Sequence, residues 1–170
     1  MDLKNKFRHV LDFPKEGIDF IDITTVLQDA AAFRYAIDCM AGVLRGVDFD
    51  TVIGSESRGF ILGAPVAYAL GKGFVPVRKK GKLPYKTVSA SYTLEYGSDE
   101  VEMHEDAIKP GQKVVIVDDL LATGGTVNSN IQLIQMLGGR IQTMAFLLEL
   151  TKLGAREKFP GYDIFSVVKI

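Results

Sequence analysis

The sequence predicts an α/β protein: an open, mostly parallel β-sheet flanked by helices. Three observations carry this. Short apolar runs alternate with segments of helical periodicity, the pattern of βαβ units with right-handed crossovers. The run 113–118 (Lys-Val-Val-Ile-Val-Asp) is nearly continuous in β-branched residues, so both faces of that strand are expected to be buried. Glycine or Pro-Gly punctuation separates the runs.

The elements follow in order. Phe33, Ile37, Cys39, Met40, Val43 and Leu44 recur at helical spacing, with Asp29 placed to cap the helix and Gly46 to stop it. Residues 51–54 form a strand ending in glycine. A helix over 60–70 is closed by Gly71, and 74–77 is the next strand. Lys109-Pro110-Gly111 turns the chain into the strand 113–118. Val127, Ile131, Ile134 and Leu137 mark a helix over 126–137, ended by Gly138-Gly139 as a left-handed cap. Strands at 143–150 and 163–168 complete the sheet. The segment 79–103 breaks the alternation and reads as a β-hairpin or flap over the sheet's end. A sheet of this kind binds ligands beyond the carboxyl ends of its strands.

Composition narrows the classes. The chain has 170 residues, 47% of them hydrophobic, enough for one domain with its own core. Its 20 Lys+Arg against 21 Asp+Glu give a net charge of −1, which argues against general binding to nucleic acid or membrane surfaces. Cys39 is the single cysteine, so no internal disulfide is possible, and a reducing cytoplasmic location is expected. Two histidines, His9 and His104, are too few and too far apart for a zinc site. No apolar run approaches the ~18 residues of a membrane span.

The chemistry concentrates in three places. Asp118 and Asp119 end a buried strand and lead into Leu120-Leu121-Ala122-Thr123-Gly124-Gly125-Thr126. Glycine-loop amides at a helix N-terminus converge on an anion, and Thr123 and Thr126 add hydroxyl donors. Two carboxylates beside a phosphate pocket suit sugar hydroxyls, so a ribose 5-phosphate satisfies the whole stretch. A second strand-to-helix loop, Gly54-Ser55-Glu56-Ser57-Arg58-Gly59, offers amides, hydroxyls and a cation. A third segment, Arg78-Lys79-Lys80-Gly81-Lys82, places four cations after a strand of the same sheet. Two separated anion sites imply a ligand with phosphate at both ends, and Mg²⁺ suits it because that ion binds through phosphate oxygens. Nucleotide motifs fail: Phe60 stands where a Walker lysine belongs, and Pro76 replaces the last glycine of a dinucleotide fingerprint.

The stretch 114–126 resembles the phosphoribosyl pyrophosphate signature of the type I phosphoribosyltransferases. The blocks Gly17-Ile18-Asp19-Phe20-Ile21-Asp22-Ile23, Glu56-Ser57-Arg58-Gly59-Phe60, Arg78-Lys79-Lys80-Gly81-Lys82-Leu83-Pro84 and Leu94-Glu95-Tyr96-Gly97 are similar to the adenine branch of that family. The resemblance implies one phosphoribosyltransferase domain over 1–170, with an N-terminal hood (1–30) that binds the base and a flap (79–106). It implies transfer of the 5-phosphoribosyl group from phosphoribosyl pyrophosphate to adenine, giving AMP and pyrophosphate. Ala122, Thr123, Gly124, Gly125 and Thr126 would hold the 5-phosphate, with Asp118 and Asp119 on the ribose hydroxyls. Glu56, Ser57 and Arg58 would bind pyrophosphate in a loop with a cis peptide, helped by Arg78, Lys79 and Lys82. Asp19, Phe20, Ile21 and Leu120 would read adenine, the first and third through their backbone. Ile21 departs from the family pattern, where an arginine is common. Glu95 would act as general acid/base. Mg²⁺ would bind through pyrophosphate and ribose hydroxyls, with no direct protein ligand. A homodimer is implied, with an exposed N-terminal helix and the 78–82 loop as candidate interfaces. The alternatives are a 6-oxopurine or xanthine phosphoribosyltransferase and a non-catalytic sensor of phosphoribosyl pyrophosphate.

Overall fold

A computed structural model describes residues 1–94 and 97–170, with side chains for all but 92–99. Glu95, expected as the acid/base, lies outside the described residues. The chain opens with a short 3-10 turn, Lys4–Lys6, then two short strands, β1 (Arg8–Leu11) and β2 (Asp19–Asp22), paired antiparallel with Leu11 opposite Asp19. This corrects the expected N-terminal helix. β1 is mostly exposed and carries no helical stripe, and Asp12 at φ 59 and a cis Phe13-Pro14 bond turn the chain back. Two helices follow, the single-turn α1 (Thr24–Leu27) and the longer α2 (Ala30–Leu44). The Asp29 carboxylate accepts from the backbone N–H groups of Ala31 and Ala32, as a cap should.

The main sheet has the order β5-β6-β4-β3-β7-β8-β9. β3 (Thr51–Ser55), β4 (Gly73–Lys79), β7 (Lys113–Leu121), β8 (Arg140–Glu149) and β9 (Ile164–Lys169) run parallel, while β5 (Thr87–Leu94) and β6 (Gly97–His104) form an antiparallel hairpin at one edge. The helices α3 (Arg58–Leu70) and α4 (Gly125–Met136) each follow a strand directly. Side-chain alternation along β7 explains the layers. Val115 and Val117 join Leu62 and Val66 of α3 and Met40 of α2 on one face. Val114 and Ile116 join Val127, Ile131 and Ile134 of α4 on the other, with Ala90, Val101 and Met103 of the hairpin. Both faces are buried, which is why the strand carries no polar alternation.

Two expectations shift. The hairpin does not begin at Lys79: Arg78 and Lys79 are the last residues of β4, paired with Glu102 and Val101 of β6. It extends the sheet's edge, and its apolar face is buried in the core formed with α4. β7 also continues past the two acids to Leu121, because β8 still offers partners there, Leu148 to Leu120 and Glu149 to Leu121. Asp118 and Asp119 therefore stand inside the strand, two residues short of its end.

Candidate active site

Central strands β3 and β7 lie side by side, so their following turns open at the same end of the sheet. β3 is buried along its whole length and delivers Ser55 to the turn Glu56-Ser57-Arg58, whose Glu56-Ser57 peptide is cis. Glu56 Oε2 accepts from the Lys79 backbone N–H at 3.0 Å and from Arg78 Nε at 3.2 Å. The Lys79 amide first, and Arg78 after it, hold the Glu56 carboxyl below its usual range. The side chain of Glu56 thus ties its turn to the neighbouring strand β4.

Asp118 and Asp119 are both 6% exposed, so their charges are largely withdrawn from water. Burial first, and the neighbouring Asp119 charge second, push the Asp118 carboxyl well above the ordinary carboxylate range. Its Oδ1 accepts the Asp119 backbone N–H at 2.9 Å. Burial also raises Asp119, but Arg58 opposes it, with Nε 2.8 Å from Oδ2. That contact is an ion pair without hydrogen-bond alignment, and Oδ2 has no hydrogen-bond partner among the described residues. A buried carboxylate oxygen left in this state is an acceptor available to a hydroxyl.

The turn after β7 is shaped differently. Gly124 precedes α4 at φ 89, and among the described residues no side chain caps the helix. The first N–H groups of α4 are open at the site, where the helix dipole favours an anion. Thr123 and Thr126 flank them. Both turns line one cavity of about 200 Å³, bounded by Glu56, Ser57 and Arg58 on one side and by Asp118, Asp119, Leu120 and residues 122–127 on the other. Among the described residues no group of three His, Cys, Asp or Glu side chains could hold a metal alone.

Of the remaining expected residues, Phe20, Arg78 and Lys79 contact residues that line this cavity. Phe20 packs edge-on against Phe13 with ring centroids 5.2 Å apart, and the Arg58 guanidinium stands 5.5 Å from the Phe20 ring centroid. Asp19 bonds His9 Nδ1 at 2.7 Å. Ile21 is 8% exposed and belongs to the core, so an apolar residue suits the position. Arg78 reaches Glu56 and donates to the Lys82 carbonyl, while the side chains of Lys79 and Lys82 are exposed. None of Asp19, Phe20, Ile21, Arg78, Lys79 or Lys82 lines the cavity itself.

Several contributors escaped the sequence reading. Val127 lines the cavity, and helical continuation of the glycine loop was the available signal. Gly59 must be small, because a Cβ there would stand 2.7 Å from Asp118 Oδ1. Asn130 of α4 donates to Ser55 Oγ at 2.7 Å in the interior, joining the two βα units beneath the site. Lys158 and Phe159 touch the glycine loop from far along the chain, where no local motif announces them.

A parallel sheet that brings a glycine-loop helix terminus and two buried acids to a cationic turn defines a class. Residues 24–169 match the model of the phosphoribosyl transferase domain, and the chain belongs to that family. It is 68% identical over 169 residues to the adenine phosphoribosyltransferase of Caldicellulosiruptor bescii, covering 99% of this chain and 97% of that one. The crystal structure of adenine phosphoribosyltransferase from Thermoanaerobacter pseudethanolicus superposes with a TM-score of 0.96 at 55% identity, covering 99% and 98% of the two chains. The Saccharomyces cerevisiae adenine phosphoribosyltransferase, complexed with adenine and an imino-altritol 1,6-bisphosphate, gives 0.91 at 38% identity over 98% and 96%. The chain's place in the family is among the adenine phosphoribosyltransferases.

Proposed function

We propose that this protein transfers the 5-phosphoribosyl group of phosphoribosyl pyrophosphate to adenine, releasing AMP and pyrophosphate. The single observation that carries the reading is the shared cavity, with a cation-bearing turn on one side and an amide-rich helix terminus on the other. A sugar phosphorylated at both ends fits that polarity. The yeast relative's structure, with a bisphosphate imino sugar and adenine, is of the same kind.

The steps follow from the side chains. The α4 amides, Thr123 and Thr126 take the 5-phosphate. Asp119 Oδ2, and Asp118 beside it, accept from the ribose hydroxyls, and their negative potential tolerates the positive charge that develops on the sugar at the anomeric carbon. Ser57 and Arg58 meet the pyrophosphate, which gathers charge as its bond to the sugar breaks. Arg78, Lys79 and Lys82 add positive potential at the cavity's edge. Arg58 is engaged with Asp119 in the free protein, so substrate exchanges one anionic partner of Arg58 for another. Phe20 and Leu120 supply apolar surface for the purine, and the backbone of Asp19 and Ile21 its polar edge. Glu95 takes the proton that leaves the purine as the glycosidic bond forms, a role typically worth ~10²–10⁴-fold.

Mg²⁺ fits as a passenger of the substrate, because among the described residues no group of acids forms a complete cage; when bound it would neutralise pyrophosphate oxygens while Asp118 and Asp119 serve the ribose hydroxyls. The single domain, with 1–30 as hood and 79–106 as flap, remains part of this reading. So does a homodimer, for which the 78–82 loop remains a candidate interface once the N-terminal helix is gone; Ile61 and Tyr68 of α3, 41% and 90% exposed, add apolar surface. Among the described residues no helix is long and apolar enough to cross a membrane. A cytoplasmic location goes with the unpaired Cys39.

The test incubates the protein with Mg²⁺, phosphoribosyl pyrophosphate and adenine, hypoxanthine, guanine or xanthine in turn. Only adenine is expected to give nucleotide rapidly. Equal rates with hypoxanthine overturn the base assignment. Glu95→Gln is expected to lower kcat by ~10²–10⁴-fold while leaving sugar-phosphate binding unchanged.

A further inference from the structure

The phosphate-binding turn 122–125 carries no basic side chain and no capping side chain, yet Gly124 must be held at φ 89. Its support comes from a distant segment. The 3-10 turn Ala155–Lys158, with Phe159 after it, packs against the glycine turn. A Cβ on Gly124 would stand 2.8 Å from Phe159 Cε2 and 3.6 Å from Ala155 Cβ, so ring and methyl back the glycine directly. Lys158 Nζ donates to the Thr123 carbonyl oxygen at 2.8 Å. A carbonyl held from outside leaves the amides of the same turn facing the cavity.

The supporting turn is itself anchored by charge. Glu149, the last residue of β8, is 4% exposed. Arg156 meets its carboxylate with two nitrogens, Nε to Oε1 at 3.0 Å and a terminal nitrogen to Oε2 at 2.5 Å. Ser166 of β9 donates to Glu149 Oε2 at 2.6 Å, and the other terminal nitrogen of Arg156 reaches the Ile164 carbonyl at 2.5 Å. A bidentate pair this well satisfied fixes orientation as well as position. It pins the 155–158 turn to β8 and β9, and these pin Phe159 and Lys158 to the glycine turn.

We propose that Glu149, Arg156, Lys158 and Phe159 form a positioning device for the 5-phosphate grip, acting through Thr123 and Gly124 and touching no reacting atom. This rests on the phosphoribosyl-transfer reading and adds residues to it. The device should set the affinity for phosphoribosyl pyrophosphate while leaving adenine binding and the chemical step alone.

The test is steady-state kinetics with calorimetric binding of ribose 5-phosphate. Lys158→Met is expected to raise KM for phosphoribosyl pyrophosphate by about three- to tenfold, with kcat and the adenine KM within twofold, and Lys158→Arg to restore it. Arg156→Met is expected to raise the same KM by about tenfold or more and to lower Tm, because it strands the Glu149 charge. The double variant Glu149→Gln/Arg156→Met removes the stranded charge, so Tm recovers while KM stays high. Recovery of both Tm and KM in the double variant, or an unchanged KM in Lys158→Met, overturns the proposal. A wild-type protein inactive with adenine sinks the parent reading instead, and weaker ribose 5-phosphate binding by Lys158→Met still supports the device.

Discussion

The two turns that build the cavity look alike in sequence and are held in opposite ways. Each follows a buried central strand and opens a helix. The turn after β3 is fixed by charge, through Glu56 to the Lys79 amide and Arg78, and Arg58 to Asp119. The turn after β7 is fixed from behind, by Phe159 packed against Gly124 at φ 89 and by Lys158 Nζ on the Thr123 carbonyl. Their glycines serve different ends. Gly124 is needed for its backbone angle, while Gly59 needs only the absence of a Cβ beside Asp118. An amide nest must present bare N–H groups to its ligand, so its support has to come from behind. A cationic turn can be held through the same charges it later offers to substrate.

The largest effect expected from breaking this contrast is at Gly124. Gly124→Ala adds a left-handed-region cost of about 1–2 kcal/mol to an overpacking cost of about 1–3 kcal/mol. kcat/KM for phosphoribosyl pyrophosphate should fall by ~10²–10³-fold, read from initial rates. Next comes the charge-held turn. Arg58→Ala and Asp119→Asn should each lower kcat/KM by roughly tenfold to a hundredfold. Their effects should not add, because the two groups share one ion pair, and a double-mutant cycle measures the shortfall.

Asp118 sharpens the comparison from the side of stability. Its carboxyl is raised above its unfolded value, so ionising it costs more in the folded chain, and stability falls as pH rises from about 3.9 through the folded value. Asp118→Asn removes that loss. Calorimetry should find the variant more stable than wild type at pH 8, with the gain shrinking toward pH 4 and activity reduced. The smallest effect is at Glu56, whose carboxyl is depressed in the folded chain. Its contribution is present above the unfolded value of about 4.3 and lost as pH falls through the folded value. The Tm gap between wild type and Glu56→Gln should therefore close on acidification from pH 6 to pH 3.

Legibility divides along the same line as the two turns. The glycine loop and its acids were readable because amide convergence, helix dipole and paired carboxylates all arise from contiguous residues. Strand β7 was readable because burial on both faces leaves a continuous β-branched run, although its true end at Leu121 depended on partners in β8. The β1–β2 hairpin was not readable, since both strands are only four residues long and β1 is mostly exposed with no alternation to mark it. Nor was the start of the edge hairpin, because Arg78 and Lys79 are claimed by β4 only through β6.

By itself the sequence determined the alternation of strands and helices, the capping of α2 by Asp29, and the anion-seeking chemistry of the two turns. These depend on neighbours a few residues apart. Tertiary structure alone decided that Arg58 meets Asp119, that Ile21 is core, that Gly59 lies under Asp118, and that Phe159 stands behind Gly124. Each joins residues that chain-local patterns do not relate, and only the packing of a sheet with two covered faces brings them within reach of one another.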